Sequence, residues 1–73
     1  MHALIVMNQN GDSRQYFDAA DSTSVTQARV RFEELNEAGY IAGKRTGDGT
    51  SELIRQFDPT VHETLFIPRL VGG

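Results

Sequence analysis

Ala3-Leu4-Ile5-Val6-Met7-Asn8-Gln9-Asn10-Gly11-Asp12 is the stretch whose reading decides the fold. Its first half is an apolar, β-branched run. Asn-Gly follows, and both residues tolerate the positive φ that a tight hairpin demands. The returning strand is then Ser13 to Asp18, with Tyr16 and Phe17 adjacent. Side chains alternate across a strand, so these two aromatics face opposite sides of the sheet. Residues 2–18 are therefore expected to form a β-hairpin. If only one face is covered, either Tyr16 or Phe17 points away from the core.

Working outward, the spacing predicts a helix over roughly 22–38. Val25, Ala28, Phe32 and Leu35 recur at steps of three, four and three, a single apolar stripe. Asp21 or Ser22 is placed to cap its first amides, and Ser24 with Gln27 resembles a capping box. Gly39 stands where a helix ends in the left-handed conformation. The stripe has to cover something, most simply one face of the hairpin. Beyond it, Tyr40-Ile41-Ala42 reads as a short strand and Gly43 to Thr50 as a glycine-rich loop. That loop opens no helix and is no dinucleotide fingerprint. Glu52 to Phe57 reads as another strand, Asp58 to Glu63 as a turn closing in one 3₁₀ turn, and Thr64 to Pro68 as the last strand. The order is ββαβ(β)β: an α+β domain with a mixed sheet of four or five strands on one helix.

Composition narrows the function classes. A chain of 73 residues makes one small domain, near the lower limit for an unstapled core. No cysteine is present, which removes disulfides, thiolate nucleophiles and Cys-based zinc sites and agrees with a reducing, cytoplasmic setting. A net charge of −3 argues against nucleic acid. The longest apolar run, Ala3 to Met7, reads as neither a signal peptide nor a membrane span. A monomer without cofactor is expected. His2 and His62 lack metal-ligand spacing, Asp58 and Glu63 read as a turn cap and a solvated side chain, and Ser22 and Ser24 read as caps. No active site of its own is expected, so the protein is not read as an enzyme.

The chain closes on Phe66-Ile67-Pro68-Arg69-Leu70-Val71-Gly72-Gly73. Two glycines make a narrow segment that resists ordering. Gly73 carries a carboxylate with no Cβ crowding it, which suits attack on ATP to give an acyl-adenylate.

These features together resemble the ubiquitin-like β-grasp family over nearly the whole chain. The residues that carry the resemblance are Gly11 in the first turn, Ala42-Gly43-Lys44, Asp48-Gly49, Thr64-Leu65, and Arg69-Leu70-x-Gly72-Gly73. Phe66-Ile67-Pro68 before the diglycine is similar to the sulfur-carrier relatives, the small subunit of molybdopterin synthase and the thiamine-pathway carrier. Departures are present too. Val71 replaces a second Arg, the middle loops differ from the sulfur carriers, and Thr64-Leu65 and Arg69-Leu70 align with ubiquitin at offsets differing by one. The inward-facing set of the last strand is therefore left open.

The resemblance implies a β-grasp domain over 1–68 and a flexible tail over 69–73. Three roles stay open: a protein modifier, a sulfur carrier ending in a thiocarboxylate, or a non-conjugated protein-binding module. For the first two, Gly72 and Gly73 are the activated terminus and an ATP-dependent adenylating enzyme is the implied partner. Lys44, the only lysine, falls at a chain-forming position and is a possible conjugation acceptor. A docking patch is expected on the uncovered sheet face, from Ile5, Met7, Phe66 and one of Tyr16 or Phe17. Arg69 stands at its rim and Leu70 just beyond.

Overall fold

A computed structural model describes residues 1–9 and 11–69. The elements are β1 (His2–Asn8), β2 (Gly11–Phe17), α1 (Ser22–Glu37), β3 (Tyr40–Arg45), β4 (Ser51–Ile54) and β5 (Glu63–Pro68). They form a mixed five-stranded sheet in the order β2-β1-β5-β3-β4. Only the β1–β5 pair is parallel; the other three pairings are antiparallel. The last strand thus lies at the centre, between the first and third.

The hairpin forms where the sequence places it, with one adjustment. Gly11 pairs with Asn8 and begins β2 rather than sitting at the turn centre. Its φ of 110° is open to glycine and strained for any other residue. Asn10 lies outside the described residues. At the start of α1, the Asp21 carboxylate accepts from the Thr23 N–H at 3.1 Å. Ser24 does not build the expected capping box: its Oγ accepts from the Asp18 N–H at 2.8 Å and so ties the β2–α1 loop to the helix. At the other end Gly39, with φ 95°, donates to the Asn36 carbonyl at 3.1 Å. The Gly39 carbonyl in turn accepts from the Arg69 N–H at 3.1 Å, pinning the exit of β5 to the end of the helix.

The helix stripe is buried as the periodicity predicts. Ala28, Phe32 and Leu35 are covered, with Val25 partly so, and they pack on Leu4, Val6, Phe17, Ala42 and Phe66. The sequence expectation that residues 52–57 form one strand is corrected. Pairing stops at Ile54, and the chain bends at Arg55-Gln56 so that Phe57 turns back into the core. Phe57 then completes a run of rings: Phe17–Phe57 at 5.6 Å, Phe57–Phe32 at 5.9 Å and Phe32–Phe66 at 5.4 Å between centroids. The segment after it closes as a hydrogen-bonded turn, Val61 N–H to Asp58 carbonyl at 3.2 Å, rather than a 3₁₀ helix.

Phe32 touches two of the other three rings, so truncating it removes more than its own area. Phe32→Ala should cost about 3–5 kcal/mol in urea unfolding, a large share of what a domain of this size holds. Retention of the parent midpoint would mean that the helix face is wrongly assigned.

Candidate functional site: the open sheet face

With α1 on one side, alternation sends the remaining side chains of each strand to the other. Ala3, Ile5 and Met7 of β1 face that way, as do Leu65 and Ile67 of β5 and Ile41 and Gly43 of β3. Tyr16 of β2 and Leu53 of β4 complete the set. Ala3, Ile5 and Leu65 form a small buried cluster of their own, separate from the main core.

A carboxylate held between two arginines lies on the same face. Glu63 Oε2 lies 3.8 Å from Arg14 Nη1, and its Oε1 lies 3.4 Å from Arg45 Nη1. Arg14 belongs to β2 and Glu63 to β5, and β1 runs between those strands. The Arg14 side chain therefore crosses over β1 to reach its partner, and its register position is opposite Ile5. Arg14, Glu63 and Arg45 make a strap across one end of the face. The sequence reading of Glu63 as a merely solvated residue is corrected accordingly.

Beyond the strap the face is bare. Ile41 pairs with Ile67 in the β3–β5 register, and one step further along the β1–β5 register Met7 is their neighbour. Met7, Ile41 and Ile67 are 37%, 39% and 52% exposed, and Leu53 is 77% exposed. Gly43 pairs with both Leu65 and Leu53. It is buried, and a Cβ there would meet the Glu52 carbonyl oxygen at 3.4 Å and the Ser51 Cβ at 3.7 Å, at the near limit of ordinary van der Waals contact. Exposed Arg69 lies at the margin, bordering a surface depression with Ile41 and Leu53. Exposed apolar side chains gathered on one face are the ordinary form of a protein-docking surface.

The residues proposed from sequence divide under this geometry. Met7 and Arg69 are exposed on or beside the patch. Ile5 is on the open face but only 2% exposed, so it is floor and not contact surface. Phe66 is the clear correction: it is fully buried on the helix side, packed on Phe32. The offset of one residue between the two alignments of β5 is resolved in favour of Thr64 and Phe66 pointing inward, which turns Leu65 and Ile67 out. Phe17 is core and Tyr16 is 58% exposed. Lys44 is paired with Glu52 at 3.2 Å at the edge of the sheet. Leu70, Gly72 and Gly73 lie outside the described residues. Sequence reasoning missed Ile41, Leu53 and Ile67. Strand alternation counted from the correct register would have found Ile41 and Ile67, whereas Leu53 needed the true end of β4.

Two turns near the sheet ends are fixed by carboxylates. The Thr46 hydroxyl donates to Asp48, and the Thr50 hydroxyl and N–H do so at 2.7 and 3.1 Å. These bonds, that of Thr46 foremost, lower the Asp48 pKa from 3.8 to about 2. Asp58 is held below its ordinary value by the Thr60 hydroxyl at 2.6 Å and the Thr60 N–H at 2.9 Å, an Asx-type turn. Among the described residues no group of three or more His, Cys, Asp or Glu is arranged to hold a metal. No helix there is long and apolar enough to cross a membrane.

Comparison with family models, curated proteins and solved structures yields no match to this chain. The class is therefore defined by fold and face alone: a small α+β domain whose mixed five-stranded sheet and single helix are compatible with a β-grasp-like arrangement.

Two measurements check the electrostatic reading. The Glu63 pairs are partly exposed, so Glu63→Gln should cost less than about 1 kcal/mol, with a smaller effect at high salt. A loss several times larger would make the strap a principal stabiliser. For Asp48 the folded pKa is depressed, so its contribution is complete above pH 3.8 and is lost as pH falls through about 2. The stability difference between parent and Asp48→Asn in urea melts should accordingly shrink towards zero across that window, and an unchanging difference would contradict the assignment.

Proposed function

We propose that this chain is a ubiquitin-like protein modifier or carrier, docked through its open sheet face and activated at its C-terminal diglycine. The observation that carries the reading is the join between patch and tail. Ile67 lies in the exposed apolar row, and two residues later Arg69 is fixed to Gly39 by its backbone N–H. The sequence then runs Leu70-Val71-Gly72-Gly73. A partner seated on Met7, Ile41, Leu53 and Ile67 would thus hold the tail's point of departure at a fixed distance from its own active site.

In this reading the partner is an adenylating enzyme. A Gly73 carboxylate oxygen attacks the α-phosphorus of ATP, pyrophosphate leaves, and the resulting acyl-adenylate is open to displacement of AMP. Displacement by a thiol leads to a thioester and then to an amide on a target amine, the modifier route. Displacement of AMP by a hydrosulfide ion gives a thiocarboxylate directly, the sulfur-carrier route. The chain supplies no catalytic group to either; it acts as the substrate, in the cytoplasm, where ATP and such enzymes are found. A second reading, a binding module that is never conjugated, is favoured by the same exposed row, which needs no tail to act.

Deleting Gly72 and Gly73 separates these readings. The deletion should leave the melting temperature nearly unchanged, because a terminus contributes few contacts. Intact-mass analysis after incubation with ATP and candidate activating enzymes should show an adduct on the parent and none on the deletion. Ile67→Asp with Leu53→Asp should preserve the helix signal yet abolish the adduct by preventing docking. Full biological activity in the diglycine deletion would leave the binding module standing and remove the carrier.

A further inference from the structure

His2 and His62 are separated by most of the chain, and the parallel pairing of β1 with the segment leading into β5 sets them side by side. Their rings lie 4.5 Å apart between centroids, with planes at 70°. The Ala3 N–H donates to the His62 carbonyl at 2.8 Å, which locks the two backbones in that relation. On its other flank His2 meets the edge of Phe17 at 5.4 Å. The result is a row of three rings across the end of the sheet, with His62 on the exposed side.

The His2 ring is oriented as well as placed. Its Nδ1 lies 2.9 Å from the Pro59 carbonyl oxygen. A carbonyl only accepts, so Nδ1 carries the proton and donates. In the neutral ring Nε2 is then left with a free lone pair. A ring nitrogen donating to a backbone carbonyl, which fixes the tautomer and leaves the other nitrogen its lone pair, is the usual support of a metal-ligating histidine. The spacing agrees. Two imidazoles bound to one ion at about 2.0–2.1 Å have ring centres roughly 4.5 Å apart at a right angle and roughly 5.2 Å apart at the tetrahedral angle, so a small outward turn of one ring spans the range.

We propose that His2 and His62 form a two-imidazole site for a divalent transition metal, of the Zn²⁺ or Cu²⁺ class. Imidazole nitrogen selects these ions over the hard Mg²⁺ and Ca²⁺, which require oxygen cages. His2 is the fixed ligand, held by Pro59 and Phe17. His62, being exposed, turns to complete the pair. Water fills the remaining positions, so the site is open and weaker than a four-ligand structural centre.

The test is a titration of the full chain with zinc chloride, following the imidazole resonances of both histidines by NMR. Both should shift together and saturate at one ion per chain. His62→Ala, a substitution at an exposed side chain, should keep the parent melting temperature. It should weaken Zn²⁺ binding at least as much as loss of an outer-shell partner does, about 10–100-fold. Calcium chloride at the same concentration should shift neither ring. The proposal is overturned if neither imidazole responds to millimolar Zn²⁺. It is equally overturned if folded His62→Ala binds as tightly as the parent, which would put the ion on His2 and the chain terminus instead.

Discussion

Everything in this domain depends on how one short helix covers a five-stranded sheet. A chain of this size has room for one layer of contact between them, and Phe32 occupies its middle. It reaches Phe66 on the central strand and Phe57 on the segment beyond β4, and Phe57 carries the contact on to Phe17 of the edge strand. The four rings thereby tie both halves of the sheet to the helix. Phe57 explains why β4 is short: the chain leaves the sheet at Ile54 so that the ring can fill the space beside α1. Arg29 then lies over the outer face of Phe57, 5.7 Å from its centroid, which closes the edge of the core with a charge that stays hydrated.

The opposite face shows what a single helix leaves undone. Half of the sheet's apolar residues point away from α1, and the two ends of that face differ. At one end the Arg14–Glu63–Arg45 strap lies across the strands, on the face that carries Ala3, Ile5 and Leu65. Ion pairs at these distances and exposures contribute little by themselves. At the other end nothing of the kind is present among the described residues, and Met7, Ile41, Leu53 and Ile67 stay exposed, Leu53 most of all.

The central strand also ties the sheet to the end of the helix. β5 is paired with both β1 and β3 as far as Phe66, its last residues pair with β3 alone, and Arg69 is then fastened to Gly39 at the end of α1.

Much of the fold was legible in the sequence because it depends on local rules. The apolar run before Asn10-Gly11 gave the hairpin, and the steps from Val25 to Leu35 gave the helix and its buried face. Gly39 gave the helix end, where a left-handed residue is required. The element order, including the strand that closes the domain, could be read from the same periodicities. What the sequence could not decide was register. A slip of one residue exchanges the faces of a strand, and only pairing of β5 with β1 and β3 put Phe66 inside and Ile67 outside. The same holds for Glu63, whose partners come from β2 and β3, and for His2 beside His62, whose nearness exists only once the first and last strands run parallel. Local propensity acts over a few residues, whereas these relations are set by long-range pairing, which tertiary structure alone supplies.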